Sequence, residues 1–221
     1  MYFSAVVHNF IMARNYARFH TEKIKKIHSL DLNVNFVYFP LHLQPELTTS
    51  TLGGDFSDQL DAIELLKETI PEDWFIYVKE NPKQGHEQRG VEFYNRLSTF
   101  RNVVYIDAGI DTYLLMKNCR FVATITGTAG WEAITGGKAC LIFGKAWYLT
   151  LPGVVQYKEG ITLKDILEIS ISETQFQEKF SYLYSKTRAG IVDGVYKEIT
   201  LNYKKNENTQ KLLKFIDEVL G

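Results

Sequence analysis

Cysteine is scarce: the 221 residues contain two, Cys119 and Cys140, and neither has a Cys or His partner at metal-ligand spacing. Both read as core thiols of a protein kept in a reducing compartment. No apolar run approaches the roughly 18 residues of a membrane span. "MYFSAVVHNFIMARNY" has no basic region before its apolar stretch, which His8 and Asn9 interrupt, so it makes a poor signal peptide. An excess of one charge is missing too: 25 Lys plus Arg against 26 Asp plus Glu leave a net charge of -1, with no global attraction for nucleic acid or an anionic membrane. Neither the GxGxxG fingerprint nor the Walker lysine pattern is present, and none of the histidines follows an HxH or HExxH spacing. The expectation is a cytoplasmic chain, with peripheral attachment to the inner face of the cell membrane left open. No membrane span, nucleic-acid partner, metal or cofactor is expected.

What is present is a core and a rhythm. With 45% hydrophobic residues the chain can bury one substantial core, and a second independent domain would be cramped. "VNFVYFP", "WFIYVK", "VVYID", "FVATIT" and "ACLIFG" read as five strands, each nearly continuously apolar, as strands covered on both faces are. Helical patterns alternate with them: "SDQLDAIELLKETI" capped by Ser57 or Asp58, "RGVEFYNRLSTF", "DTYLLMKN" capped by Asp111, and "AGWEAITG" stopped by Gly136 and Gly137. This alternation predicts an α/β fold, a Rossmann-like doubly wound, mostly parallel five-stranded sheet with helices on both faces.

The organisation predicted is a helical segment over 1–32, with Ile11, Tyr16, Phe19, Ile24 and Ile27 loosely at helical spacing. A Rossmann-like core follows over 33–160, and helices over 161–221 pack on the same domain. "KAWYLTLPGVVQYKEG" reads as a loop. Helices are expected around Leu163 to Ile171, Glu173 to Lys186 and Thr209 to Leu220, the last amphipathic. The chain shows no internal repeat, low-complexity segment or linker.

In open α/β sheets ligands sit beyond the carboxyl ends of the strands. Four strand ends are decorated here, by "PLHLQPELTTS", "KENPKQGHEQRG", "DAGID" and "TGTAGWE". Thr126, Gly127, Thr128, Ala129 and Gly130 would offer backbone amides and two hydroxyls at a helix start, where unpaired donors and the helix dipole favour an anion. Glu132 falls in the first turn of that helix. It either accepts hydrogen bonds from a ribose or sugar hydroxyl or stabilises the helix start. Lys79 is placed to reach a phosphate, or is an exposed strand-end lysine; Asn81 and Pro82 follow it, with Glu80 on the turn. Gln44 and Glu46 offer polar groups after the first strand, and Thr48, Thr49 and Ser50 add hydroxyls or simply form a turn. His8, His20 and His28 belong to the opening helix, while His42 and His86 lie nearer the edge. Trp147 and Tyr148 either stack on a base or sugar or cover the core.

The order of "YFPLHLQPE", "VKENP", "TGTAGWEAITGGKACLIFG" and then "WY" and "PGV" resembles the nucleotide-binding half of the bacterial capsule polysaccharide biosynthesis family. These are GT-B glycosyltransferases that include 3-deoxy-manno-octulosonic acid (Kdo) transferases. The resemblance runs from about Asn33 to Val155. It implies one half of a GT-B fold that binds a sugar nucleotide, CMP-Kdo among the candidates, as substrate and serves a polysaccharide or lipid-linked acceptor. In the family pattern the segment matching Lys79 to Pro82 reads Lys-x-His-Pro, its His and Pro against the phosphate; Asn81 here can donate a hydrogen bond but carries no charge. The family's small-residue turn matches Thr126 to Gly130, its acid Glu132, and its Gln-Pro-acid segment Gln44 to Glu46. A GT-B enzyme closes its site between two Rossmann-like halves, so the resemblance further implies a missing N-terminal half or a protein partner that supplies it, together with the catalytic base. The alternatives are a non-catalytic binding or scaffold subunit of a polysaccharide biosynthesis complex and, behind it, a phosphotransferase or sugar-nucleotide epimerase.

Overall fold

Six strands, β1 (Phe36–Pro40), β2 (Phe75–Lys79), β3 (Val103–Ile106), β4 (Phe121–Thr124), β5 (Cys140–Ile142) and β6 (Val154–Gln156), pair in parallel throughout in the computed structural model. Their order is β3-β2-β1-β4-β5-β6, that of a Rossmann-type sheet. Residues 2–24, 29–85, 89–192 and 194–220 are described. The chain divides into two compact units, Met1–Gln175 and Phe176–Gly221, and the sheet belongs to the first.

Side chains of a strand alternate between faces, and both faces of this sheet are covered. Val37 and Phe39 of β1 join a core with Leu60, Ile63 and Leu66 of α3 (Gln59–Thr69) and with Tyr94 and Leu97 of α4 (Val91–Thr99). Phe36 and Tyr38 are equally buried but lie outside that cluster, on the face that also buries Leu115 of α5 (Thr112–Asn118) and Ile134 of α6 (Thr128–Thr135). The chain is an α/β, Rossmann-like protein.

Local chemistry explains the element limits. Asp58 caps α3 by accepting from Leu60 N at 2.9 Å, and Asp111 caps α5 by accepting from Tyr113 N and Leu114 N. Gly136 caps the end of α6, and Gly137 follows at φ 76°, a conformation open to glycine. α1 (Tyr2–Lys23) opens the chain; α2 (Leu47–Ser50) and a 3-10 turn (Gly54–Phe56) shape the loop after β1. A capping box of Thr162 and Asp165 starts α7 (Leu163–Leu167), which is shorter than its pattern suggested. The sixth strand corrects the expected five. Val154–Gln156 is only three residues long at the sheet edge, half-buried to exposed, too short to show an alternating pattern.

The second unit holds most of α8 (Glu173–Ser185), together with α9 (Gly194–Ile199) and α10 (Lys205–Leu220). Within it, Asn208 accepts from Ile191 N at 2.7 Å and donates to Ile191 O at 2.8 Å, and Arg188 pairs with Glu218 at 2.9 Å. Among the described residues no helix is long and apolar enough to cross a membrane.

Candidate functional site

The strand order reverses between β1 and β4, where a parallel sheet leaves a crevice at its carboxyl edge. A cleft of about 350 Å³ opens there, lined by His42, Glu46, Asn81, Thr126 and residues Gly127 to Ala129 among others. Three sequence-distant segments thus converge, as the decorated strand ends implied. α6 starts directly after this turn with Gly127 as an extended N-cap (φ -68°, ψ 154°) and no side-chain cap. The first amides of the helix, those of Thr128 and Ala129, have no intrahelical acceptor and carry the positive end of the dipole. Gly127 is required: an added Cβ would lie 2.8 Å from Thr124 Oγ1 and 3.0 Å from His42 Nε2. Thr126 contributes less than expected, because its hydroxyl donates to Thr48 O at 3.0 Å.

His42, which sequence reading placed near the edge without a role, forms the base of the cleft. It is 7% exposed. Gly127 N donates to Thr124 Oγ1 at 3.2 Å, and that oxygen lies 2.9 Å from His42 Nε2. Thr126 N also donates to Nε2, at 3.4 Å. Nε2 is therefore the acceptor and Nδ1 carries the ring proton. Burial depresses the imidazole pKa to about 4; Glu46 opposes that shift and Arg89 adds to it. The ring is neutral at physiological pH. Its backbone is pinned as well, with N donating to Gln59 Oε1 at 2.7 Å and O accepting from Gln59 Nε2 at 3.1 Å and Arg89 Nη2 at 2.9 Å.

Behind the cleft lies a buried ion pair that the sequence did not advertise. Arg89 Nη2 meets Glu80 Oε1 at 2.9 Å, each side chain 2% exposed. Glu80 also accepts from Asn81 N at 2.8 Å, Tyr105 Oη at 3.2 Å and Tyr94 Oη at 3.4 Å. Its pKa is raised by burial, with Arg89 pulling it back. Arg89 reaches Gln44 Oε1 at 3.0 Å and lies 4.3 Å over the Phe93 ring. Glu80, expected only as a turn residue, is thus a buried anchor. Gln44 is corrected in the same way: its amide donates to Ser57 O at 2.5 Å and its backbone exchanges bonds with Gln84 at 2.8 and 3.0 Å. It braces the loop and lines neither cleft.

A smaller cleft of about 250 Å³ adjoins the first, sharing Asn81, Thr128 and Ala129 with it and adding Lys79, Pro82, Thr112 and Glu132. Lys79 is 9% exposed, and its ammonium donates to Ile110 O at 2.5 Å and Thr112 Oγ1 at 2.8 Å. Burial lowers its pKa against the opposing pull of Asp111 and Asp107. It is held by the loop after β3 rather than left as an exposed strand-end lysine. Glu132 sits one turn further along α6 than expected, four residues after Thr128, and burial raises its pKa.

Two other expectations change, for Gly130 and Tyr148. Gly130 is a packing glycine: its hydrogen faces the Tyr148 hydroxyl and Cys140 Sγ, leaving no room for a Cβ. Tyr148 is fully buried, donates to Gly127 O and cannot stack on a ligand. Trp147 is 58% exposed, but its ring lies 5.0 Å from that of Trp131. Glu46 stays exposed on the rim, accepting from Thr48 Oγ1 at 2.8 Å, and Thr49 turns inward to donate to Glu46 O at 3.1 Å. His28 and His86 lie outside the described residues, among which no group of three or more His, Cys, Asp or Glu is arranged to hold a metal ion.

A family model described as capsule polysaccharide biosynthesis protein matches residues 3–187. The chain belongs to the capsule polysaccharide biosynthesis protein family. Among solved structures, this family member is similar to the KpsC β-Kdo 2,7 transferase of Thermosulfurimonas dismutans (TM-score 0.48, 14% identity, 76% of this chain and 52% of that one). It is similar to the β-Kdo 2,4 transferase of the same KpsC at TM-score 0.47 and 15% identity, over 75% of this chain and 53% of that one. The UDP-GlcNAc 2-epimerase of Methanocaldococcus jannaschii gives TM-score 0.47 and 12% identity, over 79% of this chain and 50% of that one. The family member thus spans about half the length of each of these structures. No curated protein sequence matches it significantly.

Proposed function

We propose that the chain is the donor-binding part of a glycosyltransferase of capsule polysaccharide assembly. It takes a sugar nucleotide, CMP-linked in the reading that follows Kdo transfer, in the two adjoining clefts. The observation that carries this reading is the helix start without a side-chain cap at the strand-order reversal: Thr128 and Ala129 line a cleft that His42, Glu46, Thr48 and Asn81 also border. An acceptor hydroxyl attacks the anomeric carbon, the bond from that carbon to the phosphate oxygen breaks, and the electron pair leaves with the nucleotide. The α6 amides hold the charge that grows on the phosphate. Glu132, with its raised pKa, and Lys79 flank the smaller cleft, where ribose or sugar hydroxyls would lie. The protein would work against a second Rossmann-like half, its own or a partner's, and at the cytoplasmic face of the membrane.

One observation favours the second reading, a non-catalytic binding or scaffold subunit. Among the described residues no lysine or arginine lines the larger cleft, and Asn81 stands where the family pattern has a charged-capable histidine.

The decisive experiment is calorimetric titration with CMP, CDP and UDP of the wild type, Thr128→Ala and Thr128→Pro. Proline suits the first helical position, and the preceding Gly127 already has a backbone compatible with it. The proline variant therefore deletes one amide donor while keeping the helix, and alanine controls for the hydroxyl. Loss of a hydrogen bond to a charged phosphate predicts roughly tenfold weaker binding in Thr128→Pro than in Thr128→Ala. No binding of any nucleotide at millimolar concentration would sink the reading. Equal affinity of the two variants would move the phosphate elsewhere, and binding without transfer of CMP-linked sugar by the assembled protein would favour the scaffold.

A further inference from the structure

Further along the same sheet edge, at the ends of β5 and β6, a third cleft of about 390 Å³ opens between the Thr51–Phe56 loop and the residues after the two strands. It shares no residue with the other two clefts. Its wall is aromatic: the Phe143 and Tyr157 rings stack at 4.9 Å, and Phe56 meets them edge-on at 5.0 and 5.5 Å. Phe56 and Tyr157 remain half-buried. The loop is drawn onto the strand ends by close backbone contact. Lys145 N donates to Leu52 O at 2.8 Å, and a Cβ at Gly144 would lie 2.6 Å from that same oxygen. The wall is therefore fixed by core packing rather than by mobile side chains.

The rim is charged and uncommitted. Lys145, Lys158 and Asp55 are exposed, and none of them forms an ion pair among the described residues. Gln156 adds an exposed amide. Lys158 does feel Asp165, whose pKa it helps to lower, but that carboxylate is itself in solvent.

We propose that this third cleft binds one residue of an acidic saccharide. A pyranose has an apolar face and a polar edge, which match an aromatic wall bordered by an amide and a carboxylate that accept and donate hydroxyl bonds. The two ammonium groups then select a sugar that carries a carboxylate. A nucleotide is disfavoured, because among the described residues no residue of an α-helix lines this cleft, so no full helix dipole favours a phosphate there. The inference does not rest on the nucleotide reading, since the two sites have no lining residue in common.

The test uses the full chain and two defined probes, tri-galacturonic acid and the neutral maltotriose, titrated by calorimetry or saturation-transfer NMR. Tri-galacturonic acid is expected to bind with millimolar or better affinity, more tightly than maltotriose and less tightly as salt rises. Lys145→Ala/Lys158→Ala, two exposed sites that leave the fold intact, should weaken it roughly tenfold, the sum of two screened charge contacts. Saturating CMP should leave it unchanged. Absence of binding, equal affinity for both probes, unchanged affinity in the double variant, or displacement by CMP would each overturn the proposal. Saccharide binding by a chain that binds no nucleotide would sustain it while the nucleotide reading failed.

Discussion

Gly130→Ala tests whether α6 is held against the sheet as described. The residue is buried at the third position of α6. A methyl there would overlap the Tyr148 hydroxyl, lie 2.8 Å from Cys140 Sγ and 3.0 Å from Tyr148 Cζ. Neither neighbour can yield cheaply: Tyr148 and Cys140 are both fully buried, and the tyrosine hydroxyl is spent on Gly127 O. Overpacking of this kind costs about 1–3 kcal/mol, against which alanine regains up to about 1 kcal/mol of helix propensity. A net loss of about 1–2 kcal/mol is therefore expected. Tyr148→Phe loses the buried hydrogen bond, about 1–2 kcal/mol by itself, but empties the space that the new methyl needs. The double variant should accordingly cost less than the sum of the two, with a coupling of about 1 kcal/mol. Urea denaturation of the four proteins, compared at a common slope, reads this directly. Wild-type stability in Gly130→Ala, or additivity within about 0.3 kcal/mol, would refute the close packing of α6 on Tyr148.

Two further outcomes follow from the buried charges. Arg89→Ala leaves the Glu80 carboxylate buried and unpaired, so chemical denaturation should show a loss of about 3–5 kcal/mol; a loss under about 1 kcal/mol would mean that solvent reaches the pair. His42 titrates near its ordinary value when unfolded but only at about 4 when folded, so between those values the unfolded chain holds the extra proton. Its contribution is thus fully present above about pH 6.5 and is lost as pH falls toward 4, about 3 kcal/mol in all. Glu80, whose pKa is raised, contributes a slope of the opposite sign, so the difference between wild type and His42→Gln isolates the histidine. A flat difference profile between pH 4 and 6.5 would show that the imidazole is open to water in the folded protein.

The strands were legible because burial on both faces writes itself as uninterrupted apolar runs, and "FVYFP" and "FVAT" lie at the centre of the sheet. Caps were legible because they are local: Asp58, Asp111 and Gly137 act within two or three residues of their own position. β6 was not, since a three-residue edge strand buries too little to leave a pattern. α9, six residues with largely exposed side chains, escaped for the same reason.

The candidate site was legible to the level of strand ends and no further. That "HLQPE", "KENP" and "TGTAG" meet follows from topology. Which atoms face the cleft depends on contacts between segments some 40 to 80 residues apart, such as Gln44 with Gln84 and His42 with Thr124. Arg89 shows why single motifs mislead. One guanidinium bonds Gln44 and His42 from the loop after β1, and Glu80 and Gln84 from the loop after β2. The two loops are thereby tied into one unit whose inward groups are the conspicuous polar ones, Gln44 and Glu80. The groups that line the larger cleft are quieter in the sequence: a neutral histidine, an asparagine, and the start of a helix with no side-chain cap.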